Sequence, residues 1–219
     1  MAITYPRELP NLFLRPPRFS FDYTPLGKLS RTAGGAVAFQ EAVGGSLWEM
    51  ALTTKTLNET EYGQAAAWFR SLRGGAEMFK AYDVRRPWPL HYGPDVLTLQ
   101  RAGGLGAFDG TVSVNAAGGS TVSLRELPGG YRVSEGDYLS FPWRGGQALV
   151  VALESAIAGG GGGINGLAVG PWLFASPSEL PVTGTLVRAW CQMRPKPGSW
   201  SGERTTRDPV SFEAIQDLT

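Results

Sequence analysis

Nucleophilic catalysis through a serine triad needs a histidine, and this 219-residue chain has one, His91. It lies between Leu90 and Tyr92 in the segment DVRRPWPLHYG at 83–93, and no G-x-S-x-G elbow occurs anywhere in the chain. One histidine and one cysteine, Cys191, cannot make a zinc site of clustered thiolates and imidazoles. No D-x-D-x-D-G loop is present for a hard cation. Glu126, Glu135, Asp137 and Glu154 could form a glycosidase pair only if folding brought two of them together, and their spacing does not favour it. The five glycines at 159–163 are followed by no Lys-Ser/Thr, so they are not a phosphate loop. These residues predict no enzyme, no cofactor and no metal.

Aromatic side chains are the other candidates for a functional role. Trp48, Trp68 and Trp190 sit in periodic segments, where a core or subunit contact is the default. Trp88, Trp143, Trp172 and Trp200 lie near loops or strand ends, where they could serve a protein interface or stack on a sugar. Phe19, Phe21 and Tyr23 alternate within a proline-rich stretch at 1–30. That stretch reads either as an edge strand of its own domain or as an arm on a neighbouring subunit. With Arg85 and Arg86 in the 83–93 loop, these residues make a candidate interface: Phe19, Phe21, Tyr23, Arg85, Arg86, Trp88, Trp143, Trp172 and Trp200.

Composition narrows the classes further. A net charge of +1 gives no electrostatic reason to expect nucleic acid or an anionic membrane. No run of about 18 apolar residues offers a membrane span, and residues 1–10 lack the apolar core of a signal peptide. Thirty glycines and 16 prolines favour short strands joined by turns.

The elements that must position these residues follow from periodicity. Residues 36–41 and 46–54 alternate, and Gly44-Gly45 between them suggests a hairpin with Val37 and Phe39 on one face. A helix is predicted over 59–73. Asn58 and Glu61 have capping-box spacing, Leu57 and Tyr62 have staple spacing, and Tyr62, Ala65, Ala66, Phe69 and Leu72 form one stripe. Gly74-Gly75 ends it. A strand over 77–82 follows. From 94 to 181 short strands alternate with glycine turns at Gly118-Gly119, Gly129-Gly130 and Gly145-Gly146, as in a small barrel or sandwich, and 159–163 reads as a flexible hairpin tip. Long alternation over 185–193 and a strand at 210–215 could complete the first sheet. The expected fold is mainly β with a minor α+β character. It has a sandwich-like domain with one amphipathic helix, split between 1–93 and 182–219, and a small β-barrel inserted at 94–181.

The stretch SLWEMALTTKTLNETEYGQAAAWFRSLRGGAEMFKAYDVRRPWPL resembles the N-terminal part of distal tail proteins from long-tailed, siphovirus-like phages. The points of likeness are Trp48, the run Leu72-Arg73-Gly74-Gly75, Phe79, and the loop from Arg85 to Pro89. The later stretch YRVSEGDYLSFPWRGGQALVVALESAIAGGGGGINGLAVGPWL is similar to the middle of such proteins, through Gly136-Asp137-Tyr138, Leu149 to Val151, Gly166, and Pro171 before Trp172-Leu173.

The resemblance implies a virion structural protein at the tail tip, made in the host cytoplasm. It implies a homo-hexameric ring that joins the tail tube protein to hub and tail-fibre proteins, with a ring-forming β domain and an inserted barrel. A related tail-tip group holds an iron–sulfur cluster on cysteines, which one cysteine cannot supply. The alternative reading is a carbohydrate- or receptor-binding module of a phage tail that uses the barrel.

Overall fold

The computed structural model describes residues 3–24, 27–31, 34–35, 37–41, 46–173, 177, 179–202 and 209–218. Along the chain, β1 (Arg18–Thr24) precedes β2 (Gly27–Arg31) and β3 (Val37–Glu41); then come β4 (Leu47–Thr56), helix α1 (Glu59–Ser71) and β5 (Phe79–Tyr82). The next strands are β6 (Thr111–Arg125), β7 (Arg132–Val133), β8 (Tyr138–Trp143), β9 (Gly146–Ala152), β10 (Ala156–Ile157) and β11 (Ile164–Leu173). The last are β12 (Val182–Thr185), β13 (Trp190–Pro195) and β14 (Pro209–Gln216). The fold is mainly β, with a five-stranded antiparallel sheet ordered β1-β4-β14-β13-β5 and a closed barrel ordered β11-β6-β12-β8-β9.

Two-residue alternation decides which face of the sheet is buried. Trp48, Met50 and Leu52 of β4 point inward with Phe212 and Ala214 of β14, Cys191 and Met193 of β13, and Phe79 and Ala81 of β5. Helix α1 covers one part of that face: Trp68 meets Phe79 at 5.2 Å and Phe212 at 5.9 Å between ring centroids. The barrel covers another, where Tyr138 and Leu149 join the same core. Glu49, Lys196 and Glu213 lie on the opposite face, with the Lys196 ammonium 2.8 Å from the Glu49 carboxylate.

The helix has the start that its sequence predicts. The Asn58 side chain accepts from the Glu61 amide at 2.9 Å, and the Glu61 carboxylate accepts from the Asn58 amide at 3.0 Å. It ends at Ser71, two residues short of the expected span. Gly75 at the turn (φ 101°) is required, because a Cβ there would stand 2.9 Å from the Pro195 carbonyl. The buried stripe includes Trp68, 4% exposed, whereas Phe69 is only partly buried. The indole of Trp68 donates to the Glu8 carbonyl at 3.1 Å, which ties the helix to the N-terminal segment.

Several pairings differ from the sequence reading. β3 pairs with β2, not β4; β4 is flanked by β1 and β14. Alternation fixes a buried face but does not choose a partner strand. Val37 is 57% exposed and takes no part in the sheet core, while Val187 packs on the barrel core instead. The Gly44-Gly45 turn lies outside the described residues. The long strand expected over 185–193 is two strands. β12 ends at Thr185 in the barrel, the backbone turns through Arg188 (φ 48°), and β13 begins at Trp190 in the sheet. Gly118-Gly119 is no turn either, since β6 runs through it for 15 residues with a register shift opposite.

The turn expected at Gly145-Gly146 falls one residue earlier: Gly146 already belongs to β9, and Arg144 and Gly145 close the β8–β9 hairpin with φ of 49° and 90°, as a two-residue primed turn requires. Within the 159–163 run Gly162 is buried and packed, whereas Gly159, Gly160 and Gly161 are exposed. Leu127 donates to the Gly162 carbonyl at 3.1 Å, and a Cβ on Gly162 would fall 2.2 Å from the Leu127 carbonyl. Among the described residues no helix is long and apolar enough to cross a membrane.

Candidate interaction surfaces

The aromatic alternation at Phe19, Phe21 and Tyr23 is a property of β1. Its register against β4 sets Phe21 opposite Met50 and Tyr23 opposite Trp48, which places all three rings on the inner face. Phe21 stacks on Trp48 at 5.3 Å, Phe19 on Phe21 at 6.0 Å, and Tyr23 meets Trp48 edge-on at 5.1 Å. Phe21 is buried, and Phe19 and Tyr23 are half-buried. The stripe therefore closes the junction between sheet and barrel.

Arg85 and Arg86 enter the same junction. Asp83 is buried at the end of β5; one of its oxygens accepts from the Arg85 amide at 3.0 Å and the other pairs with the Arg86 guanidinium at 2.9 Å. Tyr138, the first residue of β8, donates to Asp83 at 3.2 Å and lies under the Arg86 guanidinium at 4.6 Å. Burial, reinforced by the Asp83 charge, pushes the Tyr138 phenol well above its ordinary pKa. Arg85 reaches the Pro17 carbonyl at 3.2 Å and is otherwise exposed.

The 83–93 loop then lies along the barrel. Leu90 donates its amide to Asp137 at 2.7 Å, and Ser134 donates to the other oxygen at 2.8 Å. Burial raises the Asp137 carboxyl above the usual range, and those two amides and the charges of His91 and Arg86 act against it. Trp88 and Tyr92 pack on the barrel core, where Tyr92 stacks on Tyr131 at 4.8 Å. His91 sits edge-on to Tyr92 at 4.7 Å.

The remaining candidates are dispersed. Trp143 is 3% exposed inside the barrel core. Trp200 rests on Phe69 at 4.5 Å, on the outer side of the helix contact. Trp172 alone of the nine candidates is a largely exposed tryptophan, at 47%, with its indole nitrogen against Gly119.

The carboxylates serve as braces. Glu154 accepts from the Ala168 amide at 2.8 Å, Glu126 is 3.7 Å from Arg101, and both Asp137 oxygens are occupied by amides. Cys191 is fully buried, which raises its thiol pKa far from the thiolate range. Among the described residues no group of three or more His, Cys, Asp or Glu could hold a metal ion.

Periodicity gave no sign of the unequal treatment of the sheet edges. The start of the β5 edge is capped by the chain itself: Arg7 bridges to Phe79 in parallel, with Arg7 donating to the Met78 carbonyl at 3.1 Å and Lys80 donating to the Arg7 carbonyl at 2.7 Å. The outer edge of β1 carries no strand over its seven residues among those described. The β2–β3 hairpin, which follows β1 in the chain, pairs with neither sheet nor barrel among the described residues. Comparison with known protein-family models gives no match, and comparison with curated proteins gives none either.

Proposed function

We propose that the chain is a structural subunit of a phage tail tip: a distal tail adaptor that assembles with copies of itself into a ring, joins the tail tube to hub and fibre proteins, and uses no cofactor. The observation that carries this reading is the open β1 edge beside an unpaired β2–β3 hairpin. An isolated two-stranded hairpin is marginal in water, and an open edge strand is a template for another chain. The hairpin and the edge are different surfaces of one chain, so a contact between them is head-to-tail and closes into a ring when its rotation allows. The resemblance supports the same reading. Leu72-Arg73-Gly74-Gly75 forms the helix end against Pro195, and Gly136-Asp137-Tyr138 forms the clamp between loop and barrel.

Negative-stain microscopy of the purified chain tests this directly. Closed rings of about six subunits, roughly 100 Å across for domains of ordinary size, are expected. A strictly monomeric species contradicts it. Exposure of Trp172 on the barrel favours a second reading, a carbohydrate- or receptor-binding module. A monomer whose glycan binding is lost in Trp172→Ala would establish that reading in place of the first.

A further inference from the structure

Residues 3–15 wrap around the β5 edge and form one wall of three adjoining hollows. The hollow of about 430 Å³ beside Tyr82 and Arg188 shares Glu8 and Lys80 with a second of about 560 Å³. It shares Asn11 and Leu14 with a third of about 450 Å³. Through these shared residues the three hollows follow one another along residues 3–15 and form one groove.

Charge is concentrated there. Arg7, Arg15, Lys55, Lys80 and Arg188 line the groove against two carboxylates, Glu8 and Glu61, although the whole chain carries only +1. Lys80 is partly spent on Glu8 at 2.7 Å and on the Trp190 ring at 5.0 Å. The Arg15 and Arg188 guanidiniums make no hydrogen bond or ion pair among the described residues. Arg188 is held in the left-handed region (φ 48°), and its amide donates to the Pro87 carbonyl at 2.7 Å. That geometry fixes its position beside Tyr82, where its charge acts to lower a phenol pKa that burial raises.

The backbone beneath is open. Lys80 turns its N–H away from β13 to reach Arg7. Tyr82, two residues further along β5, turns its N–H and C=O to the same side. The chain has by then left the edge for the short helix Asn11–Phe13, and Tyr82 has no main-chain partner there among the described residues.

We propose that this groove binds an extended acidic segment of another polypeptide, which pairs with the free β5 edge at Tyr82 and sets its carboxylates against Arg188 and Lys80. Strand addition supplies main-chain hydrogen bonds, and the cations and the Trp190 and Tyr82 rings select the side chains. The site goes beyond the tail-tip reading and stands without it.

Fluorescence anisotropy of the full chain with a labelled peptide of alternating glutamate and valine tests the site, with the glutamine-for-glutamate peptide as control. Saturable binding of the acidic peptide is expected, with Arg188→Gln weakening it about tenfold, equivalent to about 1.4 kcal/mol. Arg70→Gln, on the exposed helix face, should leave it unchanged. Binding should also slow amide hydrogen exchange at Tyr82. Equal binding of the two peptides, equal loss in the two arginine variants, or unaltered exchange at Tyr82 would overturn the proposal.

Discussion

The indole N–H of Trp48 donates to the main-chain carbonyl of Leu149 at 2.6 Å, across the boundary between the sheet and the barrel. Trp48 is the second residue of β4 and Leu149 lies in the middle of β9, so the bond joins two residues 101 positions apart in the chain. The side-chain amide of Gln216 donates to the Gln147 main-chain carbonyl at 3.2 Å nearby, and the Phe21, Tyr23 and Tyr138 rings exclude water around Trp48. Sheet and barrel are therefore packed as one body at this point.

Trp48→Phe keeps a ring in the junction and deletes the donor. The Leu149 carbonyl is left buried without that partner, which costs about 1–3 kcal/mol. Urea denaturation should show this loss in a single transition for sheet and barrel. An unchanged midpoint would mean that the bond contributes nothing.

The helix prediction divides between two neighbours. Trp68 is buried against Phe13, Phe79 and Phe212, so Trp68→Ala should cost roughly 3–5 kcal/mol. Phe69 is half-buried against Trp200 and Phe212 and should cost less, about 1–3 kcal/mol, when replaced by Ala. The reverse order in denaturation midpoints would show that the helix is rotated from this packing.

Gly162→Ala and Gly160→Ala separate a packed turn from a flexible one. A Cβ at Gly162 meets the Leu127 carbonyl and an αL backbone (φ 72°), whereas one at Gly160 meets nothing within 4 Å. The first substitution should destabilise by more than about 1 kcal/mol and the second should be near neutral. Equal, small effects would return the 159–163 run to a loose linker.

Acid titration should expose Asp137. Its carboxyl is raised from 3.8 by burial. The folded state therefore holds the proton more tightly than the unfolded state. The stability it contributes is fully present below 3.8 and is lost as pH rises through the raised folded value. Carboxyl NMR should find Asp137 titrating above the ordinary aspartate range, and Asp137→Asn should remove that slope from the stability profile. A midpoint at or below 3.8 would contradict the dominance of burial over the two amide bonds at this carboxyl.

Local chemistry was legible in the residues, and long-range choice was not. Asn58 with Glu61, and Gly145 at a turn, each act within a few positions, so their roles follow from spacing alone. The partner of β3 depends on which strand is nearby in space, and alternation at 185–193 continues unbroken across the bend at Arg188. The candidate interface suffered in the same way. A buried aromatic and an interface aromatic have the same type and period, so Phe21 and Trp143 looked no different from Trp172. The open β1 edge depends on which strands are absent beside it, a property that no residue of β1 encodes.

The central claim is self-assembly through the β2–β3 hairpin and the β1 edge. Thr24 pairs with Leu47 in the β1–β4 register, so residues 25–46 can be replaced by an Asn-Gly turn that closes β1 directly onto β4. Sedimentation velocity of the intact chain and of this variant, each with its circular dichroism spectrum, is the most direct measurement. Closed oligomers of the intact chain and a folded monomer of the variant are predicted. A monomeric intact chain, or a variant that assembles as well as the intact chain does, would contradict the account.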